Sequence, residues 1–155
     1  MKINFLKGNL LVFLYSILTV ILFSSCSNNK KELVNDLVFL NVKTLTAKYG
    51  EPNCCSADNS IHFKLEDGIN AMVFYKDAEM TKPEVVRVKG MDFDPELFYN
   101  DLGWDLPHLD WQQALGRMTV TGLKGIKNAT YNKTGSMLNI VIDNPNIETF
   151  GKRKG

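Results

Sequence analysis

The apolar residues of this chain fall into one long run followed by many short, regularly spaced ones. From Leu10 to Phe23 the chain is apolar almost without interruption. From Glu32 to Tyr49 apolar positions fall at Leu33, Leu37, Leu40, Val42, Leu45 and Tyr49, mostly at the three- and four-residue intervals of a helix. Leu37-Val38-Phe39-Leu40 also fits the opening of a strand, so the helix prediction rests on Val42 to Tyr49. Gly50 followed by Pro52 ends it, because glycine accepts the left-handed backbone that closes a helix and proline cannot continue one.

Beyond residue 60 the period changes from helical to alternating. Ile61, Phe63 and Leu65 alternate with polar residues, Glu66-Asp67-Gly68 follows, and Ile69 to Tyr75 forms the next run. Asp-Gly between two such runs predicts a hairpin. A third strand is expected at Val85 to Val88, after a loop around Thr81-Lys82-Pro83. Asp94-Pro95-Glu96 reads as the cap, first-turn proline and early acid of a short helix ending near Leu102-Gly103. A second helix is expected from Leu109 or Asp110 through Trp111, Ala114 and Leu115 to Gly116. Further strands are expected at Met118 to Val120, Ile126 to Tyr131 and Met137 to Ile142, the last two joined at Asn132-Lys133-Thr134-Gly135. The predicted class is therefore α+β, an antiparallel sheet with a few short helices on one face. The tail from Asn144 has no period, and residues 151–155 are expected to fray.

The two halves repeat the order helix, glycine stop, hairpin. The ends Lys48-Tyr49-Gly50 and Ala114-Leu115-Gly116 lie 66 positions apart, and Gly68 and Gly135 lie 67 apart. This order, with Tyr49-Gly50-Glu51-Pro52 and Leu115-Gly116, resembles a group of small secreted α+β domains. In single form it is similar to the small lipoprotein of the outer-membrane assembly machine, and in doubled form it resembles β-lactamase inhibitor protein. Members of that group bind proteins rather than catalyse, but the resemblance implies an architecture only. It names no partner.

The long apolar run carries the address. Lys2 and Lys7 precede its 14 residues, too few for the roughly 20 of a membrane-spanning helix but typical of a secretion signal. It closes in Leu22-Phe23-Ser24-Ser25-Cys26, which resembles the lipobox of bacterial lipoproteins, although Phe23 stands where that family prefers a smaller residue. The resemblance implies cleavage after residue 25, lipidation of Cys26, and attachment to a membrane through acyl chains that contribute about 0.8 kcal/mol per buried methylene. A tether of residues 26–32 is expected, then one domain over 33–150. Lys30 and Lys31 differ from the acidic export signals of Bacteroidota surface lipoproteins, which points to the periplasmic face. An unlipidated secreted protein and an uncleaved single-span anchor are the other two readings.

Composition excludes little beyond nucleic acid. Removing residues 1–25 takes away Lys2 and Lys7 but no acid, leaving 16 basic and 17 acidic residues, about −1, without the basic stripe that a nucleic-acid partner calls for. With Cys26 committed to lipid, Cys54 and Cys55 are left in an oxidising compartment. Adjacent Cα atoms stand about 3.8 Å apart, closer than a relaxed bridge prefers, so a strained disulfide and two reduced thiols are both open. His62 and His108 lie in no triad or metal signature, and Asp92-Phe93-Asp94 lacks the glycine and distal acid of a calcium loop. No metal and no cofactor is expected.

The segment Met91 to Trp111 holds Asp92, Asp94, Glu96, Asp101, Asp105 and Asp110 with no lysine or arginine, interleaved with Phe93, Phe98, Tyr99, Trp104 and Trp111. It reads either as a partner-binding surface, with Tyr99, Asp101, Trp104 and Asp105 at its centre and Trp104 as the exposed ring, or as core rings flanked by capping acids. The functional expectation is a non-catalytic, membrane-anchored periplasmic lipoprotein that binds another envelope protein. An immunity lipoprotein that neutralises a secreted toxin is the first alternative. An envelope hydrolase using His108, or a glycan-binding module, are the others.

Overall fold

The alternating segments do become strands, and they assemble into one sheet. The computed structural model describes residues 30–155 apart from 57, 66–67, 95–96 and 106–107; at 54–56, 108, 109, 111 and 113 it describes the backbone alone. Cys26 and the whole leader therefore lie outside the described residues. Eight strands run β1 (Cys54–Ser56), β2 (Ser60–Lys64), β3 (Asn70–Tyr75), β4 (Pro83–Lys89), β5 (His108–Gln112), β6 (Arg117–Thr121), β7 (Ile126–Asn132) and β8 (Met137–Ile142). Their order is β1-β2-β3-β4-β8-β7-β6-β5, antiparallel throughout. Among the described residues three helices accompany them: α1, described over residues 30–39, α2 (Val42–Tyr49) and α3 (Phe98–Asp101). The expected α+β class is the observed one.

Leu37 to Phe39 belong to α1 rather than to a strand. A new helix starts two residues on because the Asn41 side chain accepts from the Thr44 amide at 2.9 Å, which satisfies a donor left over at the helix start. Gly50 closes α2 at φ 86° and donates to the Thr46 carbonyl. Leu33, Val34, Leu37 and Val38 form the buried stripe of α1. Asp36 ties the two helices together by accepting from the Tyr49 hydroxyl at 2.6 Å and pairing with Lys48. Asp36 and Glu32 hold the Lys48 ammonium charged well above its usual range, and burial followed by the Asp36 hydrogen bond pushes the Tyr49 phenol up.

The expected hairpin of β2 and β3 forms in register Ile61↔Val73 and Phe63↔Ala71, and the expected third strand is β4. The β7–β8 hairpin also forms, although Ser136, at φ 44°, carries the left-handed backbone of that turn. The second predicted helix is overturned. Residues 108–112 are the edge strand β5, paired with β6 from His108↔Thr121 to Gln112↔Arg117, and only one 3-10 turn follows at Gln113–Leu115. An eight-residue helix makes few hydrogen bonds for its costly nucleus, whereas β6 offers a full ladder.

The two halves still repeat, in a different register from the one the glycines suggest. Strand order is symmetric about the β4·β8 junction, so β1–β4 correspond to β5–β8. Gly68 joins the second and third strands of the first half and Gly135 the third and fourth of the second, so the two glycines do not occupy equivalent turns. Two boundaries also move. Lys30 and Lys31 belong to α1 rather than to a tether, and residues 151–154 are not frayed. Gly151 donates to the Lys124 carbonyl, Lys124 to Lys152, and Lys154 to Gly122, while Arg153 bridges Leu123. The tail is held because Leu123 and Gly151 are buried and their backbone groups need partners.

Candidate functional site

Of the two readings of Met91 to Trp111, core rings flanked by acids is the one its described residues follow: Phe93, Phe98, Leu102 and Trp104 are buried and roof the second half of the sheet. Trp104 is only 5% exposed, which corrects its expected role as an exposed ring. It meets Phe98 edge-on at 5.9 Å and Phe150 at 6.4 Å. A Cβ at Gly151, whose φ is 76°, would stand 2.1 Å from the Trp104 Cδ1, so the strap over residues 143–151 closes on the indole because that position has no side chain. The rings continue through Phe98 stacked on Tyr131 and Phe93 edge-on to both. Tyr99 is half-buried against the same core.

The acids of this segment hold the roof in place. Asp101 pairs with Lys30 at 3.1 Å, and the same ammonium reaches the Asp92 carbonyl and lies 4.6 Å from the centre of the Phe93 ring. The Asp92 carboxylate accepts from the Ser136 hydroxyl, and Asp105 accepts from the Arg153 amide at 3.1 Å. Tyr99, Asp101, Trp104 and Asp105 are thus neighbours in the fold, with the ring inside and the carboxylates engaged. Asp105 is exposed. The backbone places His108 and Trp111 on the edge strand and Cys54 and Cys55 in β1; their side chains, and with them the Cys54–Cys55 disulfide and the His108 pocket, lie outside the described residues.

One cluster has the composition of a catalytic triad without its wiring. The Ser60 hydroxyl donates to Asp58 at 2.8 Å and lies 3.1 Å from His62 Nε2. With its proton directed to the carboxylate, that hydroxyl can only accept from the imidazole, the reverse of what a nucleophile requires of its base. Ser60 is also fully buried. Among the described residues no group of three or more His, Cys, Asp or Glu is arranged to hold a metal, and no helix is long and apolar enough to cross a membrane.

Among the described residues no helix or loop layer lies over the other side of the sheet. Helices and roof lie on the side of Ile61, Val73, Val86, Ile140, Ala129 and Val120, all buried. Alternate residues face away, and the strand register arranges them in three cross-strand rows. One row is Ser60, Phe74, Val85, Val141 and Asn128, of which Ser60 alone is fully buried; the next is His62, Met72, Arg87, Asn139, Thr130, Thr119 and Asp110; the third is Lys64, Asn70, Lys89, Met137, Asn132, Arg117 and Gln112. Met72, Phe74, Val85 and Val141 are half-buried, and among the described residues it is neighbouring side chains of the sheet that cover them. Arg87 joins the rows, its guanidinium 5.3 Å from the centre of the Phe74 ring and its Nε donating to the Asn139 side chain at 3.3 Å. Lys64, Lys89 and Arg117 are exposed, and among the described residues neither they nor Arg87 make an ion pair.

This face was missed in the sequence although a signal for it exists. Asn70–Tyr75 and Met137–Ile142 are apolar at nearly every position, a pattern of strands that bury both faces, and among the described residues the second face has neighbouring side chains alone to bury against. Comparison with known protein families, with characterised proteins and with solved structures finds no match for this chain.

Proposed function

We propose that this chain is a lipid-anchored lipoprotein of the bacterial envelope, attached through Cys26 on the periplasmic side, that binds another envelope protein without catalysis, through the open face of its sheet. The observation that carries the binding reading is the uncovered face itself. A row of half-exposed Phe74, Val85 and Val141 beside Met72 and Arg87 combines apolar anchors with a cation stacked on a ring, the side-chain types on which protein interfaces concentrate their energy. The run from Leu10 to Phe23 ending at Cys26 supports the address.

Two experiments test the two parts. Metabolic labelling with a fatty acid should mark the unaltered chain and leave Cys26→Ala unlabelled; equal labelling, or none in either, contradicts the anchor. Affinity isolation of the full chain from solubilised envelope should recover a defined partner that Phe74→Ala loses and Ile147→Ala keeps, since Ile147 is 73% exposed on the strap over the covered side. Equal recovery by both variants contradicts the open face as the binding surface.

A further inference from the structure

Resting on that reading of the open face, we propose that the partner docks there with a carboxylate-rich protein surface, received by Lys64, Arg87, Lys89 and Arg117. Within the strands the open side carries these four cations and, among the described residues, a single acid, Asp110. That balance does not follow from composition, because the chain without residues 1–25 has 16 basic and 17 acidic residues. Asp58 accepts from the Ser60 hydroxyl at the end of this face away from the row of cations, while Asp36, Asp92, Asp101 and Asp105 hold groups in the layer on the other side.

The arrangement is directional. Lys64, Lys89 and Arg117 share one cross-strand row, with Asn70 between the first two and Met137 and Asn132 between the last two. At the 4.8 Å spacing of neighbouring strands this row spreads its cations over roughly 24 Å, the width of a protein footprint rather than of a single small anion. The apolar row lies four residues further along each strand, with the middle row and its Arg87 between. A partner that fits places apolar side chains over Phe74 and Val141 and carboxylates over the row of cations.

Two other occupants fit less well. A second copy of this chain meeting the face through a twofold axis along the strands would set Lys64, Lys89 and Arg117 against one another, and like charges brought together disfavour a wrong partner; an axis along the rows would set the cations over the apolar row, which itself holds no carboxylate. The bilayer would have to reach the face from the side opposite the anchor. Cys26 stands four residues before Lys30, at most about 14 Å of extended chain, and Lys30 belongs to the layer that covers the sheet's other side.

The test uses the full chain in its native envelope with a photo-crosslinking amino acid at Thr130, which lies in the middle row, with or without the Lys64→Glu and Lys89→Glu pair. The expected result is a protein adduct whose partner peptide, identified by mass spectrometry, is rich in Asp and Glu. Its yield should fall about tenfold in the doubly reversed variant and stay unchanged in Lys64→Arg with Lys89→Arg. In isolated envelope it should fall as salt rises from about 0.05 to 0.5 M. Both altered residues are exposed, so an unchanged melting curve is expected to accompany the loss. An adduct of undiminished yield in the reversed variant overturns the acidic partner while leaving the open face as a binding surface. An adduct with a second copy, or with lipid alone, overturns it as well. No adduct at all from Thr130 in the otherwise unaltered chain contradicts the underlying reading.

Discussion

The two faces of this sheet are built by the same strands, one residue out of step, and they have opposite fates. On the covered face Phe63, Val73, Val88, Leu138 and Tyr131 are sealed beneath α1, α2, the ring cluster and the strap. On the open face their immediate neighbours His62, Met72, Arg87, Asn139 and Thr130 are all half-buried. Charge divides in a similar way, with carboxylates used as clasps on the covered side and, on the open one, cations that make no ion pair among the described residues. The half-exposed apolar surface is concentrated where, among the described residues, no other part of the chain returns to cover it. The isolated Leu97, Leu115 and Ile147, at 49%, 60% and 73% exposure, are instead the single scattered side chains expected on any surface.

The difference between the faces is broken most severely from the covered side. Phe98→Ala removes the ring that touches Phe93, Trp104 and Tyr131 and should cost about 3–5 kcal/mol in urea unfolding. Gly151→Ala drives a methyl group into the Trp104 indole and should cost about 1–3 kcal/mol, with a matching change in tryptophan fluorescence. Tyr75→Phe should go the other way. The Tyr75 hydroxyl is buried and, among the described residues, has no partner, so its removal should be neutral or stabilise by about 1 kcal/mol. Burial also pushes this phenol up to about 12 from 10.0, with Asp77 adding to the shift. A group that holds its proton more tightly when folded contributes stability below its unfolded pKa, and that contribution is lost as pH rises. The unaltered protein should therefore lose stability between pH 10 and 12 more steeply than Tyr75→Phe does.

Smaller effects sharpen the comparison. Asp101→Asn breaks a pair whose side chains are 26% and 22% exposed, and its cost should stay below about 1 kcal/mol because solvent screens such pairs. Lys64→Glu with Lys89→Glu on the open face should change folding stability by no more than about 0.5 kcal/mol. A larger loss would mean that this face contributes to the fold rather than remaining available to a partner.

Much of the sheet was legible in advance because its period is short and local. Ile61-His62-Phe63 alternates cleanly, and Asp67-Gly68 marks its turn, so β2 and β3 could be placed from the residues alone. The segment 108–116 could not, since Trp111, Ala114 and Leu115 keep a helical spacing while the deciding partner, β6, begins only at Arg117. Trp104 misled for a related reason. Gly103, Asp105 and Pro107 around it suggest a surface loop, and the residue that buries it, Gly151, comes 47 positions later. The open face was hidden because its residues are scattered over eight strands and become neighbours only through their register.

The central claim is that partner binding belongs to the bare face and not to the covered side. Its most direct measurement compares photo-crosslinking from Met72 and Thr130 with crosslinking from Leu97 and Ile147, each in the full chain in its own envelope. The account predicts one protein adduct common to Met72 and Thr130 and absent from Leu97 and Ile147. Adducts from Leu97 or Ile147 with none from Met72 and Thr130 would contradict it.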